Sequence, residues 1–304
     1  MKNLTVLVIG DSMIDTYIFG EVSRISPEAP VPVLKLNKKN HLLGGAANVA
    51  HQIKGFGLDT TLISSCGLDD NANVLIDELK NKGITQIFDK RDVNRTIVKT
   101  RFLSRNQQML RVDDEKKNQP INIKIIERCL SDKLPDICIL SDYNKGSLSN
   151  CKDIIDLLNK KNVMTIIDPK GLDFDKYKNG SIITPNRDEI FKILGCDETS
   201  IDFVQKSQIL LKDLNLKNII VTLGSKGAMV ISATDHMVID PIQVKELDVT
   251  GAGDTFISSL AFCLSKGDKL DAAVKFANTS AGLSVQEVGV TFISEEEVLK
   301  RLKS

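Results

Sequence analysis

The sequence predicts an α/β fold with a mostly parallel, doubly wound sheet. Two observations lead there. Short continuous apolar runs alternate with longer amphipathic ones, as expected for buried parallel strands joined by helices. Polar clusters also follow one apolar run after another, which places them at strand ends. Strand candidates are residues 5–9, 60–65, 137–141, 164–168, 181–184, 218–223 and 228–231. Helix candidates are residues 46–54, 72–82, 153–160, 188–194, 203–214, 252–265 and 271–284. Two stretches, about 16–37 and 94–113, break the rhythm with turn signals, prolines and β-like pieces. They are expected to form a small β lid on a single domain spanning residues 1–304.

Composition narrows the function. Forty basic and forty acidic residues cancel, and tryptophan is absent with aromatics at 5%. Bulk charge therefore gives no reason to expect nucleic acid or an anionic membrane as a partner, and base stacking is disfavoured. The six cysteines form no C-x-x-C pair and show no metal-ligand spacing with His41, His51 or His236, so buried free thiols are expected and zinc is not. The N-terminal apolar run is too short for a signal peptide, and no run approaches the roughly 20 residues of a membrane span. A cytoplasmic location is the expectation.

Asp248-Val-Thr-Gly-Ala-Gly-Asp254 carries the most chemistry. Gly251 and Gly253 let backbone N–H groups face an anion where a helix begins. Asp254 falls in the first helical turn, beside the anion. A carboxylate there repels a phosphate, so it suits a base that takes a proton from an attacking alcohol. The structural alternative is an acidic residue placed for helix stability.

The strand-end clusters suggest one shared crevice. Asp15 could accept from two sugar hydroxyls, and Asn48, in Gly44-Gly45-Ala46-Ala47-Asn48, could bond a sugar through its amide. Asn186-Arg187-Asp188-Glu189 fits a capping box equally well as a group ordering Mg²⁺ and its waters at nucleotide phosphates, with Glu189 acting through water. Thr222, Gly224, Lys226 and Gly227 belong to a turn that could be a hairpin, line a nucleotide pocket, or both. Arg24, Lys99, Arg101, Arg105, Arg111, Lys145 and Lys170 lie in the lid segments and at strand ends, where a phosphorylated substrate would need some of them. Neither a G-x-G-x-x-G after the first strand nor a Walker A sequence occurs.

Together these residues resemble the PfkB family of carbohydrate kinases. Gly44–Ala50 is similar to its N-terminal signature and Asp248–Asp254 to its C-terminal one. The resemblance implies a ribokinase-like three-layer fold, ATP as co-substrate and Mg²⁺, and leaves a monovalent cation open. It implies Asp254 as catalytic base, with Gly251, Ala252 and Gly253 as the anion hole. It implies Asn186–Glu189 at the nucleotide, and Asp15, Gly44, Gly45 and Asn48 at the sugar; the 222–227 turn is expected beside the nucleotide, and Arg105 and Lys170 at the substrate. A homodimer through the β lid is also implied.

Ser23–Val33, Ser104–Gln108, Ser141–Gly146 and Asp168–Gly171 resemble segments typical of D-glycero-β-D-manno-heptose-7-phosphate kinases. This implies phosphorylation of the anomeric O1 to the 1,7-bisphosphate, on the route to nucleotide-activated heptose for lipopolysaccharide or another glycan. Alternatives are a PfkB kinase for ribose or a hexose phosphate, and a sugar-binding sensor without catalysis. Two departures stand out. No His-x-Gly-His occurs before Ser304, so a nucleotidyltransferase step is expected on another protein. Thr16 follows Asp15 at the expected start of a helix, where an arginine is common.

Overall fold

The computed structural model describes residues 4–105, 107–197, 200–287 and 289–303. In chain order the elements are β1 (Thr5–Gly10), β2 (Ser12–Ile25), β3 (Pro32–Gly45), α1 (Ala46–Gly55), β4 (Asp59–Cys66), α2 (Asp70–Asn81) and β5 (Thr85–Lys90). Then come β6 (Ile97–Ser104), β7 (Gln107–Asp114), α3 (Ile123–Asp132), β8 (Ile137–Ser141), α4 (Cys151–Lys160), β9 (Met164–Asp168) and β10 (Ile182–Ile183). The chain ends with α5 (Arg187–Leu194), α6 (Phe203–Asp213), β11 (Asn218–Thr222), β12 (Ala228–Ile231), β13 (His236–Ile239), α7 (Ala252–Ser265), α8 (Leu270–Ser284) and α9 (Glu295–Lys303).

Among the described residues, the main sheet has nine strands in the order β13-β12-β11-β10-β9-β8-β1-β4-β5. It is parallel from β5 to β11, and β12 and β13 run antiparallel at one edge. Strand alternation feeds two cores. Val6 and Val8 of β1 join α1, α7 and α8 on one face, while Leu7 and Ile9 join α3, α4 and α6 on the other. The result is a three-layer α/β architecture.

After β1 the chain builds towards β4 and β5, and later strands are added from β8 on the opposite side. The junction of β1 and β8 is therefore the switch point, where an open α/β sheet leaves a crevice beyond its carboxyl ends. Gly10 lies there opposite Ser141, and a Cβ on Gly10 would collide with the Ser141 carbonyl oxygen.

The lid is a second sheet with the order β3-β2-β6-β7. It is longer than the sequence suggests, because β2 already starts at Ser12 and β3 ends at Gly45. Asp15-Thr16-Tyr17 thus lies on a strand and does not begin a helix; Thr16 hydrogen-bonds His41 across to β3 at 3.0 Å. β5, β13, α3 and α9 were not marked by the sequence pattern. The cysteines are free and mostly buried, and burial pushes the Cys66 and Cys263 thiols up to about 11 and about 12. No described helix is long and apolar enough to cross a membrane.

Replacing Gly10 with Ala should lower stability by about 1–3 kcal/mol, the usual range for overpacking. The measurement is the denaturant midpoint; an unchanged midpoint would mean that β1 and β8 are not held in this contact.

Candidate active site

Four elements meet at the switch point. β1 runs into Asp11, which is fully buried. Its Oδ2 accepts from the N–H groups of Tyr143 at 3.0 Å and Lys145 at 2.9 Å, and its Oδ1 from Ser147 N–H at 3.0 Å. The loop after β8 is thereby fastened to the end of β1. Burial, with Asp142 nearby, raises the Asp11 carboxyl despite these donors.

β3 delivers the chain to α1 through Gly44 and Gly45. Gly45 has φ 57° and a Cβ there would strike the Asp11 carbonyl oxygen. Beside Gly44, that space is taken by the Asp15 carboxylate. The two glycines are thus explained first by close packing of the chain on itself, and ligand approach is not needed to account for them. Asp15 is paired with Arg101 of β6, whose guanidinium also stacks over Tyr17.

α7 begins after Gly251, which has φ 79°. The first intrahelical bond runs from Thr255 N–H to the Gly251 carbonyl at 2.9 Å, so the N–H groups of Gly251 and Gly253 precede it and carry the helix's partial positive charge. The Ala252 N–H turns back to the Val249 carbonyl at 3.3 Å and is a poorer anion donor than the two glycines. Asp248 fixes this turn, accepting from Thr250 N–H at 2.9 Å and Gly289 N–H at 2.8 Å.

Asp254 is 5% exposed. Its Oδ2 accepts from the Asn48 amide at 2.6 Å and its Oδ1 from the Tyr143 hydroxyl at 2.5 Å. Burial pushes its carboxyl up to about 6, with Tyr143 and Asn48 pulling down and Asp15 pushing up. The Asn48 Oδ1 is buried without a partner. Asp168, at the end of β9, is raised well above the usual carboxylate range by burial and by Asp254, Glu189 and Asp142 around it. A carboxylate poised near neutrality beside helix N–H groups can exchange a proton at physiological pH.

On the other side of the α7 N-terminus lies a cavity of about 590 Å³, lined by Asn186, Arg187, Thr222, Gly224, Ala252 and Gly253 among others. Its size suits a nucleotide-sized ligand. Asn186 caps α5 and forms a full capping box with Glu189; Asn186 also bridges to Thr222. The capping reading therefore holds; Asn186, Arg187 and Asp188 also line the cavity, whereas Glu189 does not. The 222–227 turn likewise joins the β11–β12 hairpin and lines the cavity with Thr222, Gly224 and Gly227, whereas Lys226 does not line it.

Two expectations change. Lys170 does not stand free for a sugar, because its Nζ donates to Glu189 Oε1 at 2.6 Å. Arg105 is not brought to the cluster within one chain. Its side chain is 82% exposed, and its nearest partner is Glu21 at 3.9 Å. It lies six residues beyond Lys99, which faces Asp15 in register, or roughly 20 Å of extended chain. Asn106, in the same segment, lies outside the described residues. Tyr143, Asp11 and Arg101 are the site residues to which sequence reasoning gave no role. Tyr143 was visible within the strand-end segment Ser141–Gly146, without a role of its own, and Arg101 only as one of several basic residues.

Comparison with known proteins bears on family and fold. A family model described as pfkB family carbohydrate kinase matches residues 3–297. The bifunctional protein HldE of Proteus mirabilis is 39% identical over 296 residues, covering 96% of this chain and 62% of that protein. The chain thus spans less than two thirds of the length of that relative. Ribokinase from Thermotoga maritima superposes with a TM-score of 0.78 at 25% identity, covering 99% of this chain and all of that one. Arabidopsis thaliana ribokinase, solved with ribose and ATP, gives 0.78 at 21% identity, covering 99% of each chain. On the family match over nearly its whole length, the chain belongs to the pfkB family of carbohydrate kinases.

Proposed function

We propose that this protein is an ATP-dependent sugar-phosphate kinase acting on the anomeric O1 of D-glycero-β-D-manno-heptose 7-phosphate. The observation that carries the chemistry is the buried Asp254 carboxylate, held at about 6 beside the N-terminus of α7. The substrate rests on the similarity to HldE across 96% of this chain, together with the Ser23–Val33 and Ser141–Gly146 segments.

In this reading the cavity beside Asn186 and Thr222 takes the nucleotide, and the Asp15–Asn48–Asp254 side takes the sugar. The orphan Asn48 Oδ1 is a ready acceptor for a sugar hydroxyl. Asp254 takes the proton of the attacking hydroxyl as the sugar oxygen bonds to the γ-phosphorus and the bond to ADP breaks. The Gly251 and Gly253 N–H groups face the transferred phosphoryl oxygens. The lid covers the sugar and excludes water.

No group of three or more His, Cys, Asp or Glu among the described residues could hold a metal. In this reading the magnesium ion arrives on the nucleotide phosphates, and Glu189, whose Oε1 accepts from Lys170 Nζ and Oε2 from Asn186 N–H, would reach it only through water. Such an ion neutralises charge on the phosphates. A monovalent cation is a further candidate cofactor, tested by exchanging potassium for sodium.

The reading includes a homodimer through the lid. Leu110 and Val112 lie on one face of β7 and are 57% and 46% exposed, with Phe102 beside Leu110 on β6. A second copy is the proposed cover for this apolar strip. Sedimentation should return about twice the 33.5 kDa chain mass, and charging both positions, Leu110→Glu with Val112→Glu, should return the monomer. A wild-type monomer would contradict the interface.

The deciding assay measures ADP release with heptose 7-phosphate, fructose 6-phosphate and ribose. Turnover should be highest with the heptose and abolished by excess EDTA. Preference for another sugar would correct the substrate, and binding without turnover would point to a sensor.

Asp254→Asn should lower kcat by ~10²–10⁴-fold while leaving nucleotide binding intact. It should also stabilise the fold. A carboxyl raised to about 6 binds its proton more tightly folded than unfolded. Its contribution is therefore full below about pH 4 and lost as pH rises through 6. At pH 8 the variant should be more stable by on the order of 3 kcal/mol, from about two units at 1.36 kcal/mol each. At pH 4 the difference should vanish. Equal denaturant midpoints at pH 8 would contradict the buried charge.

A further inference from the structure

Tyr143 is the one phenol in contact with Asp254 among the described residues, and its placement is built rather than incidental. Its loop follows β8 and is pinned by three N–H groups converging on Asp11. Asn144 at φ 56° and Gly146 at φ 109° give the backbone the turn this convergence needs. A Cβ on Gly146 would collide with the Asn118 carbonyl oxygen, so the loop is also clamped from outside. The hydroxyl then lies 2.5 Å from Asp254 Oδ1. Resting on the reading of Asp254 as the base, we propose that Tyr143 is a positioning residue that fixes the Asp254 carboxylate and stabilises its charged form through this hydrogen bond.

The surrounding charges explain why such a donor is needed. β2 contributes Asp15, whose charge is shared with Arg101 of β6. The end of β9 contributes Asp168, with Lys170 drawn away to Glu189. α1 offers only the neutral Asn48 amide, and α7 its positive end. Among these groups Asp254 has two neutral donors and no direct cation partner in the hydrogen bonds described. Hydrogen bonds to the ionised form are what favour it in a buried setting. The Tyr143 side chain is half-buried, and burial around its hydroxyl, with Asp254, Asp168 and Asp15 nearby, keeps it protonated, far above its usual range. It therefore donates and does not relay. Each carboxylate oxygen keeps a second acceptor site, so a sugar hydroxyl can bond Asp254 without displacing Tyr143. In the transfer step the sugar O–H breaks, its proton passes to Asp254, the sugar oxygen bonds to phosphorus, and ADP leaves. Tyr143 retains its proton throughout.

The test is a titration that needs no substrate. Full-length protein is prepared with ¹³C-carboxyl aspartate, and the Asp254 resonance is identified by its loss in Asp254→Asn. Wild type should titrate at about 6, and Tyr143→Phe about one to two pH units higher, the size of a charge-assisted hydrogen bond. Placing 3-fluorotyrosine at 143, a stronger donor of similar shape, should move the midpoint down and serves if the phenylalanine variant does not fold. The acid limb of kcat should follow the same shifts, with sugar KM changed less than about threefold. Identical midpoints in wild type and Tyr143→Phe would overturn the proposal, even if kcat fell. A wild type that turns over no sugar phosphate would defeat the kinase reading instead, and the titration would still decide the part played by Tyr143.

Discussion

A carboxylate that must be charged in a buried place constrains this site more than anything else. Asp254 stands among other acids, and burial pushes its carboxyl up to about 6. Every nearby element bears on that problem. α7 brings its N-terminal partial charge, α1 the Asn48 amide and the β8 loop the Tyr143 hydroxyl. Arg101 takes up the charge of Asp15 before it reaches Asp254. Stability is given up locally so that a proton acceptor is ready near neutral pH, a trade common at sites of proton transfer.

The second constraint is topological. Parallel strands on both sides of β1 and β8 put all their carboxyl ends on one edge. The nucleotide-sized cavity and the acidic cluster flank one helix N-terminus, so a phosphoryl group held by α7 would face both. Asp11 joins the two halves of the switch point by accepting three backbone N–H hydrogen bonds on one carboxylate. Loosening it would disturb the cluster without touching any ligand.

Much of this was legible in the sequence. Apolar runs such as Ile137–Ser141 and Met164–Asp168 are parallel strands as expected, because burial on both faces leaves no alternation to misread. β5 was missed because four of the six side chains of Thr85–Lys90 are polar or charged and none of its apolar ones is fully buried. α9 was missed because Glu295–Lys303 buries only Val298. At the site, Gly251-Ala-Gly-Asp254 could be read because glycine spacing and a helix start are local properties. The pairing of Asp15 with Arg101 could not, since 86 residues separate them and only the parallel register of β2 with β6 brings them together. Gly44 looked like a ligand cradle, yet it leaves room for Asp15. Small residues announce a close approach without saying what approaches.

The most direct measurement is the distance from the Asp254 carboxylate to the sugar O1 hydroxyl in a complex with a non-hydrolysable ATP analogue and heptose 7-phosphate. The account requires roughly 2.6–3.2 Å, with the γ-phosphate on the Gly251 and Gly253 N–H groups. A sugar seated elsewhere in the crevice, with Asp254 bonded only to Tyr143 and Asn48, would contradict it.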